Sequence, residues 1–180
     1  MDSSSAPVPL TPAEIAGLLQ SAQEALAAEV GALPAALLAW HPAAGEWCAK
    51  EVLGHLIEAE RRGFAGRIRQ ILAECMPALA NWDQEAVARE RRDCERPLAD
   101  LLGEFAALRA GSVEQVRGLR EADLARAGLH PKVGALRVDE LLAEWVYHDR
   151  DHLRQIQANV QAHVWAHLGN ARRFYAPDGA

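Results

Sequence analysis

Hydrophobic residues recur at three- and four-residue intervals along four long stretches of the chain, and each stretch predicts an amphipathic helix. The first opens at Thr11, where TPAE supplies a capping Thr, a Pro at the first helical position and a Glu at the third. Ile15, Leu18, Leu19, Ala22, Leu26 and Val30 then make one apolar stripe that ends near Gly31. A short run, LPAALLAWHP, is stopped by Pro42. The second helix runs from Ala49 to about Ala73 with Leu53, Leu56, Ile57, Phe64, Ile68 and Ile71 as its core stripe. Its neighbouring face reads Cys48, Val52, His55, Ala59, Gly63 and Gly66, small or medium side chains apart from the histidine. Such a face either packs closely or leaves room for a guest. The third helix spans Leu98 to about Leu119, and the last runs from about Val138 to Leu168.

Between these stretches the periodicity fails. Residues 76–97 read as irregular or only locally helical, a long crossover, and ADLARAGLHPKVGAL is irregular around His130-Pro131 and Gly134. Four long helices with one long crossover predict an all-α four-helix bundle, with no strands beyond short ones. A Ser/Pro-rich leader (1–10) is expected to be disordered, residues 11–168 form one domain, and residues 169–180 make a loosely held tail.

Composition agrees with that reading. Half of the 180 residues are hydrophobic, with much Ala and Leu and few β-branched side chains. The formal charge of -6 argues against nucleic acid as a partner, because a phosphate-backbone binder carries a basic patch. The arginines that do cluster (61, 62, 67, 69, and 89, 91, 92) alternate with Glu and Asp, as on a solvated helix face. No apolar run spans a bilayer and MDSSSAPVPL is not a signal peptide, so no membrane role and a cytoplasmic location are expected. Cys48, Cys75 and Cys94 are odd in number and contain no CxxC pair. Neither a disulfide nor a thiolate zinc site is expected of them.

One feature of the polar pattern points to chemistry. His148 and His152 stand four residues apart in YHDRDHLRQI, which places two residues about 40° apart around a helix and roughly 6 Å apart along it. Both imidazoles then point the same way, on the side of the last helix that also carries Leu141, Glu144, Trp145, Gln155 and Asn159. A stripe of histidines facing a bundle interior is costly unless each finds a partner, and a metal ion is one such partner. If the second helix packs on the last, His55 adds a third neutral nitrogen and leaves a coordination position open. Asp149, Asp151 and Glu58 are close enough in sequence to accept from the outward ring nitrogens. The competing reading is two surface histidines and one hydrogen-bonded core histidine.

The strings EWCAKEVLGHLIEAE (46–60) and HPKVGALRVDELLAEWVYHDRDHLRQI (130–156) resemble the DinB-like, YfiT-type superfamily of metal-dependent enzymes. Trp47, Glu51, Val52, Leu53, His55 and Leu56 match one motif of that family, and His148, His152, Leu153, Gln155 and Ile156 match the other. Cys48, directly after the Trp, departs from the family pattern. The resemblance implies up-down-down-up connectivity, frequent homodimers, and a divalent ion (Zn, Ni, Fe or Mn) on His55, His148 and His152. It does not imply DNA binding.

Other residues carry weaker claims. His130 could contact substrate or donate a proton, or simply belong to a turn set by Pro131 and Gly134. Glu144, one turn before His148, could be a fourth ligand or a general base, or a hydrogen-bonded surface carboxylate. Cys48 reads as a rim thiol, and His163 and His167 as a surface pair near the helix end. Two functions stay open. One is a metal-dependent enzyme acting on a small molecule, a hydrolase or a transferase for low-molecular-weight thiols. The other is a non-catalytic stress-response module that binds a metal or a ligand.

Overall fold

The computed structural model describes residues 8–175. Helix α1 (Pro12–Ala32) starts as the sequence dictates: the Thr11 backbone and hydroxyl both donate to the Glu14 carboxylate at 2.8 Å. A four-residue helix, α2 (Ala35–Leu38), follows. The expected second helix divides into α3 (Ala49–Glu58), a π-helical turn (Ala59–Gly63) and α4 (Ala65–Ala73). The remaining long helices are α6 (Leu98–Arg117) and α8 (Val138–Trp165).

Two clusters of buried side chains show how the helices run. One joins Ile15 and Leu19, Phe64 and Ile68, Val113 and Val116, and Leu141 and Trp145. The other joins Leu26 and Val30, Leu53 and Leu56, Leu101 and Phe105, and Ile156. The start of α1 therefore lies beside the end of α4, the end of α6 and the start of α8. Helices α1 and α8 point one way, and α3–α4 and α6 the other, which is the up-down-down-up order. Because α3–α4 and α6 are parallel, the chain must travel back along the bundle between them. That return contains α5 (Gln84–Arg91) and a 3₁₀ turn (Asp93–Glu95).

Several expectations need correction. The region around His130 is not irregular: after a one-turn helix, α7 (Glu121–Leu124), strands β1 (Ala127–His130) and β2 (Gly134–Arg137) pair antiparallel as a hairpin. Gly134 supplies the positive φ of +81° that its turn requires. The crossover is tied to β1 by Leu79 N–H donating to Leu129 O at 2.9 Å. Cys48 and Cys94 are joined as a disulfide, with Cys75 an exposed free thiol. Their separation of 46 residues is bridged because the 3₁₀ turn lies against the first turns of α3. A Cβ on Gly54 would fall 1.8 Å from an Asp93 carboxylate oxygen, so that approach needs a glycine.

The arginines are not simply a solvated face either. Arg61, Arg62 and Arg91 all pair with the Glu58 carboxylate, and Arg91 and Arg96 also hold the buried Asp93. His163 is half-buried, with its ring 5.1 Å edge-on from Trp40, rather than a stray surface residue. Beyond α8, residues Gly169–Phe174 form a 3₁₀ helix in the segment expected to be a loose tail. The first seven residues of the leader and the last five of the tail lie outside the described residues. Among the described residues, no helix is long and apolar enough to cross a membrane.

Candidate metal centre

His55 stands in the middle of α3, while His148 and His152 stand one turn apart on α8, against which α3 packs. Their ligand atoms all lie within 4.8 Å of one another. The Nε2 atoms of His55 and His148 are 3.0 Å apart. Two nitrogens each about 2.0–2.1 Å from one tetrahedral ion would be separated by roughly 3.3 Å, so the spacing suits a shared cation. Ring centroids are 4.4 Å apart for His148 and His152 and 4.6 Å for His55 and His152.

Burial keeps two of these imidazoles neutral. Burial lowers the His55 pKa to about 3, helped by His152, and lowers that of His148 to about 2, helped by His152 and His55. A neutral imidazole is the form that donates a lone pair to a metal. The Nδ1 of His152 lies 2.8 Å from Gln155 Oε1; donation to that oxygen fixes the tautomer and frees Nε2 for coordination. The residues therefore fit a divalent ion. The outward acceptors expected for the other rings are engaged elsewhere: Asp149 with Arg109, Asp151 with Arg154, and Glu58 with its arginines. Among the described residues, His55 Nδ1 and His148 Nδ1 have no hydrogen-bond partner.

Aromatic rings pack around the cluster. Trp82, from the crossover, stacks on His55 at 5.6 Å and 19°, and Trp47 lies 5.1 Å from the same ring. Phe64 stands edge-on to His148 at 5.1 Å and stacks on Trp145. The cluster borders a cavity of about 580 Å³. Ala59 and Gly63, on the small-residue face of the second helix, line it. Gly66 does not: a Cβ there would sit 2.3 Å from the Arg61 carbonyl oxygen, which the π turn brings close.

Both weaker candidates border this cavity. His130, at the end of β1, is buried, with its Nε2 3.3 Å from Arg67 Nη2 and its Nδ1 accepting from Lys132 N at 3.3 Å. Burial and then the neighbouring Arg67 charge lower its pKa. Glu144 is exposed at the cavity wall and is not among the converging ligand atoms. Sequence reasoning missed Arg67, which falls one helical turn beyond Gly63 on the same face, and Trp82, whose crossover segment has no periodicity to place it.

Behind the site lies a second polar cluster that the sequence reading also missed. Arg109 is 1 % exposed and donates to Asp149 Oδ2 at 2.6 Å, Glu60 Oε1 at 2.7 Å and the Leu19 carbonyl at 2.7 Å. Ser112 donates to the other Glu60 oxygen. Burial raises the pKa of Glu60 and of Asp149, and the single guanidinium between them only partly offsets it. Glu60 belongs to the π turn and Asp149 follows His148, so this network holds both helices that carry the histidines.

The chain is similar to known proteins over most of its length. A protein of Oceanobacillus iheyensis named "Putative metal-dependent hydrolase" is 23% identical over 121 residues, 67% of this chain and 69% of that protein. YfiT from Bacillus subtilis, described as a probable metal-dependent hydrolase with an unusual four-helix bundle topology, superposes with a TM-score of 0.78. The match has 18% identity and covers 89% of this chain and 91% of that one. TT2238, a four-helix bundle protein, superposes with a TM-score of 0.60 at 24% identity, over 82% of this chain and 99% of that one. The DinB superfamily model matches residues 18–156, a span that includes all three histidines, α3 and the first two-thirds of α8, and the chain belongs to the DinB superfamily.

Proposed function

We propose that the protein is a metal-dependent enzyme, a hydrolase in the first instance, whose divalent ion is held by His55, His148 and His152. The observation that carries this reading is the convergence of three imidazoles, two of which, His55 and His148, line a cavity of about 580 Å³. The name of the Oceanobacillus relative and the description of YfiT support it. A divalent ion bound there would supply Lewis acidity and lower the pKa of a water or thiol sharing its coordination.

The chain's own residues then have distinct tasks. Trp82 and Trp47 cover the His55 ring and limit the access of bulk water to it. Arg67 and Lys132 place positive charge on the cavity wall, suited to an anionic group of a substrate. His130 faces N–H donors at both ring nitrogens, which disfavours its protonated form, so we assign it a substrate contact rather than proton donation. To Glu144, exposed on the cavity wall one turn before His148, we assign the role of general base.

A non-catalytic structural metal site normally uses four protein ligands. Among the described residues this group offers three His, Cys, Asp or Glu donors, which favours an open, reactive centre. Transfer to a low-molecular-weight thiol uses the same open position and is the alternative chemistry. The test is activity of the metal-loaded protein against a panel of ester and amide substrates. A parallel assay offers monochlorobimane with mycothiol, bacillithiol or glutathione. Hydrolysis lost in His148→Ala and restored by no thiol is the expected result. Conjugation without hydrolysis would replace the hydrolase with a transferase, and neither reaction in fully loaded protein would overturn the enzyme reading.

A further inference from the structure

A second group of ligating side chains converges at the start of α3, two turns before His55. His41, Cys48, Glu51 and Cys94 bring their ligand atoms within 4.8 Å of one another. They come from three segments: the loop after α2, the first turn of α3, and the 3₁₀ turn at the end of the crossover. His41 Nε2 lies 2.9 Å from Glu51 Oε2 and 3.8 Å from Cys94 Sγ. Cys48 is fully buried, and its backbone N–H donates to the same Glu51 oxygen at 2.9 Å.

A disulfide needs two sulfurs and no further donor, yet here an imidazole nitrogen and a carboxylate oxygen face the same pair. The Cα atoms of Cys48 and Cys94 are 7.1 Å apart, wider than the roughly 4.4–6.8 Å usual for a disulfide. Two thiolates on a common ion, each about 2.3 Å from it, suit a wider spacing. Donor atoms around a tetrahedral zinc ion lie about 3.3–3.8 Å apart, and those of this cluster already lie within 4.8 Å of one another. Cys48 caps the positive end of α3, and the Lys50 ammonium donates to the carbonyls of Cys94 and Arg96 at 2.9 and 2.5 Å.

We propose that the reduced protein carries a second metal site here, a closed structural site of two thiolates, one imidazole and one carboxylate for zinc or a similar divalent ion. The Cys48–Cys94 disulfide is its oxidised, metal-free form. On oxidation by a hydroperoxide, the two thiolates lose two electrons as the sulfur–sulfur bond forms. The hydroperoxide takes up those electrons and two protons to give water and an alcohol, and the ion leaves as a dication. The site pins the crossover, and with it Trp82, to the helix that carries His55. It does not rest on the enzymatic reading of the three histidines.

The test is Co²⁺ titration of the full chain, reduced and freed of metal, with thiols counted in parallel. The expected result is a thiolate-to-cobalt absorption band in the near ultraviolet that in His148→Ala saturates with one ion and is displaced by Zn²⁺. It disappears when a diamide-type oxidant lowers the thiol count from three to one, and it is strongly reduced in Cys94→Ser. His41→Ala, at an exposed ring, keeps the fold and is expected to weaken binding at least tenfold. Cys75→Ser and His148→Ala leave the band unchanged, so failure of the three-histidine centre is distinguishable from failure of this site. A fully reduced protein with no band, or a band that survives in Cys94→Ser, would overturn the proposal.

Discussion

His148 and Asp149 are neighbours on α8, yet they belong to buried polar clusters of opposite kinds. Asp149 and its partners Arg109, Glu60 and Ser112 satisfy one another inside the protein. The three histidines do not: among the described residues His55 and His148 each keep a buried Nδ1 with no partner, and burial disfavours the protonated form of both rings. An internally closed network costs specificity little and serves to hold helices in place. An open one costs stability unless something from outside completes it. The contrast separates the part of the interior that positions from the part that is built to receive.

The largest expected effect comes from breaking the closed network. Arg109→Met leaves two buried carboxyl groups without a cation and should destabilise the protein by about 3–5 kcal/mol in chemical denaturation. Adding Glu60→Gln and Asp149→Asn to that variant should recover much of the loss. No recovery would mean that shape rather than charge dominates there. Opening the other cluster should act on binding instead. His55→Ala, His148→Ala and His152→Ala should each lose most bound metal by elemental analysis, whereas His163→Ala keeps it. A smaller effect is expected of Gln155→Ala, which removes the acceptor from His152 and should weaken metal affinity about 10–100-fold.

A further effect is on acid stability, and its sign follows from the lowered histidine values. Above the ordinary value of 6.5 the folded and unfolded states hold His55 and His148 alike, unprotonated. Below it the unfolded chain takes up protons that the folded chain refuses until about pH 3 for His55 and about 2 for His148. The metal-free protein should therefore lose stability as pH falls from 6.5 toward 3. His148→Leu should flatten that slope in urea titrations at a series of pH values, and an unchanged slope would place the acid sensitivity elsewhere.

Much of this architecture was legible in the sequence because it rests on local rules. The TPAE cap, the apolar stripes and the pairing of histidines four residues apart are all set by helical geometry, and the structure follows them. The missed features depend on distant partners. Glu60 reads as one more charge on a helix face until the π turn directs it to Arg109, 49 residues away. The proximity of Cys48 to Cys94 comes from the 3₁₀ turn docking at Gly54, which no spacing rule in the chain records. The hairpin around Pro131 is only four residues a side, too short for alternation to stand out.

Parallel placement of α3–α4 and α6 obliges the polypeptide to double back outside the core, and that detour lays Asn81, Trp82 and Gln84 along the cavity. A segment demanded by topology thus becomes the roof of the pocket. It can lengthen, shorten or exchange side chains while the helices beneath stay in register. Any chain threaded in this order carries a ready-made place to vary what it admits.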